Sequence, residues 1–311
     1  MTFNAEQFME AKTLELKNQV GDGSAICATS GGVDSMACAA LGNRVLGKRL
    51  VAVFIDDGLM REGEPEQVTN DLKKLGIENR RVDVKDEFFS ALKGLEDPEE
   101  KRKAFRDTFY KVLGRTVKES GANFLIQGTI AADVVETKGG VKTQHNVLEQ
   151  IGIDPRSYGL VILEPLKEIY KPEVREVARG LGLPESVYAR MPFPGPGLAT
   201  RVLGEVTPER VETVRKATKI VEDEVKNLRP FQAFAVLLKD MATGVEEGKR
   251  KFGEIVVVRS VESSNAITAE ITKIPWVILT AIQERITREI PSVTKVLYDI
   301  TPKPPSTIEY I

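Results

Sequence analysis

The sequence predicts an α/β fold: an open parallel sheet interleaved with helices, followed by a smaller α+β domain. Three observations carry this. Short apolar runs alternate with helical stretches through the first 188 residues, as strands and crossover helices do. One of those runs, Arg49 to Ile55, is apolar almost throughout, the pattern of a strand covered by helices on both faces. Beyond residue 200 the rhythm changes to long helices between β-branched runs. The chain therefore divides into residues 1–188 and 189–311, with a Pro/Gly-rich stretch at the join.

Taken in order, Phe3 to Val20 is an amphipathic helix candidate with Phe3, Phe8, Met9, Ala11, Leu14 and Leu16 as its core positions. The apolar run after Gly23 reads as a buried strand ending at Ser30, and Met36 to Leu46 as a helix. Arg49 to Ile55 is a strand that ends in Asp56-Asp57-Gly58. Glu64 to Leu75 is helical, Asn79 to Val84 a strand, and Glu87 to Leu92 and Asp97 to Ser120 helices, the last starting at Asp97-Pro98. Phe124 to Gln127 and Leu160 to Leu163 complete the strands, and Pro172 to Leu181 is a helix. Ala131 to Tyr158 shows no clear periodicity, which points to a lid or a disordered segment. Tyr188 to Leu198, punctuated by three prolines and two glycines, has no regular structure. It reads either as a linker or as a segment whose Gly195 and Gly197 approach an anion, flanked by Arg190 and Arg201. Pro208 to Asn227 follows as a helix capped by Thr207, Gln232 to Leu238 and Glu254 to Val261 as strands, Pro275 to Ile290 as a helix, and Val293 to Ile300 as a strand. The Pro-rich end carries Lys303 and Glu309, and reads as a frayed tail or as a reaching arm.

Chemistry concentrates at Ser30-Gly31-Gly32-Val33-Asp34-Ser35. A strand, a glycine turn and a helix start place unpaired N–H groups and the positive end of the helix dipole together, which favours an anion. The glycines let backbone approach it closely, Ser30 and Ser35 add hydroxyl donors, and Ser35 is suited to cap the helix. This is neither G-x-x-x-x-G-K-[ST] nor G-x-G-x-x-G. In an open parallel sheet the ligand lies beyond the carboxyl ends of the strands, where Ser30, Asp56, Gly128 and Glu164 fall.

Bulk properties exclude several classes. Net charge is −2, so no whole-chain footprint for nucleic acid exists. No apolar run of about 18 residues and no signal peptide are present, which argues against a membrane. The two cysteines, Cys27 and Cys38, read as small core residues in a reducing cytoplasm. The single histidine, His145, is either a structural or solvated residue or a ligand of the lid.

The Ser30–Ser35 loop resembles the pyrophosphate loop of the N-type ATP pyrophosphatases. Nearly the whole chain resembles the ATP-pyrophosphatase subunits of two-subunit GMP synthases, through Ser30–Ser35, Gln127-Gly-Thr-Ile130, Lys142, His145-Asn-Val147, Glu164-Pro-Leu166, Lys171, Glu173-Val-Arg175, Arg190 to Arg201, Val202-Leu-Gly-Glu205, Lys303-Pro-Pro305 and Thr307-Ile308-Glu309. The resemblance implies a sheet of adenine nucleotide alpha hydrolase type and a second, dimerising domain. It implies ATP bound by Ser30, Gly31, Gly32, Val33, Asp34, Ser35 and Gly128, with Mg²⁺ on Asp34 and Asp133. Lys142 and Lys171 are implied as phosphoryl contacts. XMP is implied near His145, Arg201, Gln232, Lys303, Ile308 and Glu309, with the tail completing a partner's site in a homodimer. The implied reaction is amination of XMP to GMP through adenylyl-XMP, with ammonia from a separate glutamine amidotransferase subunit. Departures from the family pattern at Gln144, Leu148, Ala132, Glu247, Asn265 and Ile311 leave two alternatives: a paralogue that adenylates another acceptor for amidation or thiolation, and a non-catalytic ATP-binding subunit.

Overall fold

Four apolar runs and the polar segment Asn79–Asp83 pair as one parallel sheet: β1 (Ala25–Thr29), β2 (Leu50–Asp56), β3 (Asn79–Asp83), β4 (Phe124–Ile126) and β5 (Val161–Leu163), in the order β3-β2-β1-β4-β5. This comes from a computed structural model, which describes residues 3–138 and 160–311. The chain forms two units: Met1–Asp56, Gly63–Val84 and Asp107–Arg190 in the first, and Asp57–Glu62, Lys85–Arg106 and Met191–Ile311 in the second. The second thus includes two excursions made within the sequence of the first.

In the first unit β1 is central and buried, with Ile26 and Cys27 fully covered. Its register pairs Ala25 with Leu50 on one side and with Phe124 on the other. Strand order reverses between β1 and β4, so the switch point, and with it the expected ligand crevice, lies at their carboxyl ends. The helices α1 (Ala5–Val20), α2 (Val33–Leu46) and α7 (Lys171–Gly180) pack on one another. The buried face of α1 is Met9, Lys12, Leu16 and Val20, whereas Leu14 is exposed. Lys12 occupies a core position because its amine reaches Glu15 at 2.8 Å and Glu168 at 3.2 Å while its stem is covered. A further helix, α6 (Ala131–Lys138), begins the stretch in which no periodicity was expected; it is only eight residues long. Helices α3 (Glu64–Lys74), α4 (Lys85–Leu92) and α5 (Pro98–Ser120) fall within a few residues of their expected bounds.

The second unit is built on the hairpin of β6 (Gln232–Glu246) and β7 (Lys249–Glu262), backed by α9 (Pro208–Val225). β8 (Glu270–Ile271) pairs antiparallel and β9 (Val293–Tyr298) parallel with β7. The hairpin outruns the expected strands because its distal half is exposed and charged, which hides the period-2 pattern. A bulge between Leu237 and Met241 interrupts it as well. It closes at Glu247 and Gly248, both at positive φ (51° and 77°), the geometry of a two-residue primed turn. The Pro/Gly stretch is irregular over residues 189–196; α8 (Glu185–Tyr188) leads into it and a 3₁₀ turn, Gly197–Arg201, takes up its end. The helix α10 (Trp276–Glu289) packs on α9 and β9.

The C-terminal segment does not fray. Lys303 pairs with Ala269 in a β-bridge, and Ile308 is buried against Val261 and Ala269. Arg259, fully buried on β7, donates to the carbonyls of Ile308 (2.9 Å), Thr301 (3.0 Å) and Thr307, and pairs with Asp299.

Candidate active site

At the switch point of the first unit, the backbone N–H of Ser30 donates to Ser35 Oγ at 3.1 Å, and the two serine hydroxyls are 3.3 Å apart. Ser35 Oγ donates to Gly32 O at 3.1 Å. The N-cap of α2 is Gly32, so Ser35 lies inside the first turn and braces the loop instead of capping the helix. The first-turn N–H groups of α2 have no acceptor within the helix and remain for a ligand. Gly31 sits at φ 76°, and a Cβ there would come within 2.4 Å of Val68 Cγ2. At Gly128 a Cβ would lie 2.9 Å from Ser35 N. Only glycine lets the end of β4 come this close to the start of α2.

Asp34, on the first turn of α2, accepts a 2.6 Å hydrogen bond from Lys171 through Oδ2. Its Oδ1 is buried without a partner. Burial pushes the Asp34 carboxyl above its ordinary range; Lys171 opposes this and Asp133 adds to it. An orphaned carboxylate oxygen at a phosphate-type loop fits a cation. Among the described residues no cluster of three or more His, Cys, Asp or Glu side chains could hold a metal ion alone. A Mg²⁺ here would therefore draw its other ligands from phosphate oxygens and water. Asp133 starts α6, and its Oδ2 accepts from Ile130 N at 3.1 Å. Of the other strand-end residues, Asp56 is held by the Arg81 fork and Glu164 accepts from Thr129 at 2.7 Å. Arg190 pairs with Glu64 and reaches Gly31 O at 3.5 Å, beside the loop. Lys142 and His145 lie outside the described residues, as do Gln144 and Leu148.

A second constellation is contained in the second unit. Arg201 is fully buried and makes a two-bond fork to Glu309, 3.1 Å from Nε and 3.0 Å from Nη2. Its remaining nitrogen, Nη1, is buried with no partner. The guanidinium stacks between Phe234 at 4.0 Å and Phe193 at 5.0 Å. Gln232 donates to Glu309 and, at 3.3 Å, to Pro192 O. Three of the six acceptor residues expected from the sequence, Arg201, Gln232 and Glu309, thus come together. Lys303 instead donates to Ala266 O at 2.9 Å, and the Ile308 side chain is a packing residue. Arg259 was missed; its signal was a lone arginine inside the run Val256 to Val261, since a buried arginine must be paired.

Two of the departures have local explanations. Glu247 lies at the hairpin tip, 15 residues along the chain from Gln232, roughly 50 Å at the strand rise. Asn265 Oδ1 accepts from Ile267 N and Thr268 N at 2.9 and 3.1 Å, closing an exposed turn.

Comparison with known proteins matches residues 5–184 to the PP-loop domain and residues 218–310 to the GMP synthase C terminal domain. Along 99% of both chains the protein is 51% identical to a subunit of the glutamine-hydrolyzing GMP synthase of Methanopyrus kandleri. It is 52% identical to the corresponding subunit from Archaeoglobus fulgidus, again over 99% of each. The corresponding subunit from Thermococcus kodakarensis is 52% identical over 98% of this chain and 99% of its own.

Proposed function

The chain belongs to this family of GMP synthase subunits, and from that premise we propose how its residues aminate XMP to GMP with ATP. The observation that carries the reading is the pairing of an orphaned Asp34 Oδ1 with the serine–glycine loop at the head of α2. Ser30, Gly31, Gly32, Val33, Ser35 and Gly128 hold the ATP phosphates, with α2 supplying N–H groups and dipole. Mg²⁺, when bound on Asp34 with Asp133 close by, neutralises charge on the phosphates. Lys171 holds Asp34 in place and faces the phosphates, and Lys142 meets charge that develops on the transferred phosphoryl group. Arg201, with its free Nη1, receives the XMP phosphate; Gln232, Glu309 and Lys303 complete that end, and His145 is assigned to XMP as well. The C2 oxygen of XMP attacks the α phosphorus, the bond to the β-phosphate oxygen breaks, and pyrophosphate leaves. Ammonia then attacks C2, and AMP departs with that oxygen to leave GMP.

Both cysteines are buried, and burial pushes the Cys27 thiol to about 12 and Cys38 well up. Neither suits sulfur carriage, which favours nitrogen transfer in a reducing cytoplasm. Among the described residues no helix is long and apolar enough to cross a membrane. Ammonia comes from a separate glutaminase subunit. Protein given ATP, Mg²⁺ and XMP should therefore form GMP with ammonium at alkaline pH and not with glutamine. Pyrophosphate release that ignores XMP would refute the acceptor.

A second copy of the chain is the further partner. Met241 and Val245 on β6 and Phe252 on β7 are exposed together on one face of the hairpin, and β6 is an edge strand of its sheet. Sedimentation equilibrium should give about twice 34.3 kDa; a species at the single-chain mass would refute the dimer.

A further inference from the structure

Lys101 is a buried cation that the reaction as described does not use. It is 2% exposed, on the part of α5 that belongs to the second unit, and its Nζ donates to Val202 O at 2.7 Å. Val202 is the residue after Arg201. The same excursion of the chain supplies a second tie, from Gly94 N to Glu205 Oε1 at 2.9 Å. From the other side Arg210 on α9 donates to Glu205 O at 2.7 Å and Leu238 O at 2.8 Å. Residues 202–205 are thus clamped between α9 and the 85–106 excursion.

We infer that Lys101 is a positioning residue for Arg201: it fixes the backbone that aims the Arg201 guanidinium at the XMP phosphate. The inference rests on the assignment of Arg201 to that phosphate. Geometry and energetics support it together. Arg201 has no exposed atom through which water could correct a displaced guanidinium, so its aim depends on its backbone. Burying an ammonium beside Arg210 also works against stability. Desolvation first, and then Arg210, push the Lys101 amine down to about 8, while Glu96 and Asp97 draw it back up. Glu96 is itself paired with Lys239 at 2.6 Å. A residue kept for packing alone would be better served by an apolar side chain in this place.

The test compares wild type with Lys101→Met, Lys101→Arg and Arg201→Met, measuring KM for XMP, KM for ATP, kcat and Tm. Loss of the charged donor should raise KM for XMP about tenfold in Lys101→Met. KM for ATP should stay within about twofold and Tm within a few degrees. Lys101→Arg, which keeps a permanent charge, should recover part of the loss. In wild type alone, Tm should rise with pH between about 8 and 10.5, where the unfolded chain holds a proton that folded Lys101 has lost. An unchanged KM for XMP in Lys101→Met, or a fall in Tm with all kinetic constants moving together, overturns the inference. If Arg201→Met leaves KM for XMP unchanged, the phosphate assignment fails and this inference with it. If Arg201→Met raises it and Lys101→Met does not, only this inference fails. Should Lys101→Met not fold, XMP affinity of wild type against Lys101→Arg from pH 7 to 9.5 decides the matter. A rise in Kd confined to wild type supports the inference, and parallel curves overturn it.

Discussion

Asp34→Asn is expected to cut XMP-dependent pyrophosphate release by at least about a thousandfold while leaving the fold no less stable. The two halves of that expectation have one cause. The buried carboxylate has one oxygen on Lys171 and one with no partner, so its charge is poorly solvated until a cation arrives. The sign follows from the raised folded value. Below the ordinary value of 3.8 the group is neutral in both states and costs nothing. As pH rises through the raised value, the folded state must carry a charge the unfolded chain carries more easily, and stability is lost. A neutral amide removes that cost at pH 7 and removes the ligand oxygen with it. Lys171 is 43% exposed, so water can replace its lost partner. Differential scanning calorimetry alongside a pyrophosphate assay checks both halves. Retained turnover would remove Asp34 from the site, and a large fall in Tm would mean that its role is structural.

Arg259→Met should be the most damaging single change in the second unit. The arginine is fully buried, and removing it leaves the Asp299 carboxylate, 12% exposed, without its cation and three carbonyls without donors. Breaking a buried pair in this way costs about 3–5 kcal/mol. The loss should be local first. Amide hydrogen exchange should lose protection from Asp299 to Ile311, because the arginine ties Thr301, Thr307 and Ile308 to β7. Glu309 sits next to Ile308 and closes the fork on Arg201, so KM for XMP should rise with it. Exchange that stays slow in the tail, or that rises equally in β1 and β2, would contradict this.

The centre of the parallel sheet was legible because its strands are buried on both faces and so written in continuous apolar runs, as in Leu50 to Ile55; β3 is polar and half exposed and carries no such run. The loop was legible because Ser30 to Ser35 must satisfy close backbone approach with residue types, and Gly31 and Gly128 leave no room for a Cβ. Less legible was whatever depends on tertiary pairing. The distal hairpin, with charged and apolar side chains both in solvent, carries no alternation. Lys12 and Lys101 look like surface residues in sequence and are buried with partners distant along the chain, Glu168 and Val202. The C-terminal segment read as loose because its prolines and charges resemble a tail, while what holds it lies far back along the chain: Arg259, about 50 residues earlier, with bonds such as that to Ile308 O at 2.9 Å, the bridge to Ala269 and the fork from Arg201. Nothing in the sequence marks the two excursions that place residues 57–62 and 85–106 with the second unit.

The most direct measurement follows the C2 oxygen. XMP labelled with ¹⁸O at C2 is incubated with ATP, Mg²⁺, ammonium and the protein, and the products are weighed by mass spectrometry. The label is expected in the phosphate of AMP, one atom per GMP formed, with unlabelled pyrophosphate. Label released to water, or carried by orthophosphate with ADP as co-product, would contradict adenylylation of XMP at the Ser30–Ser35 loop.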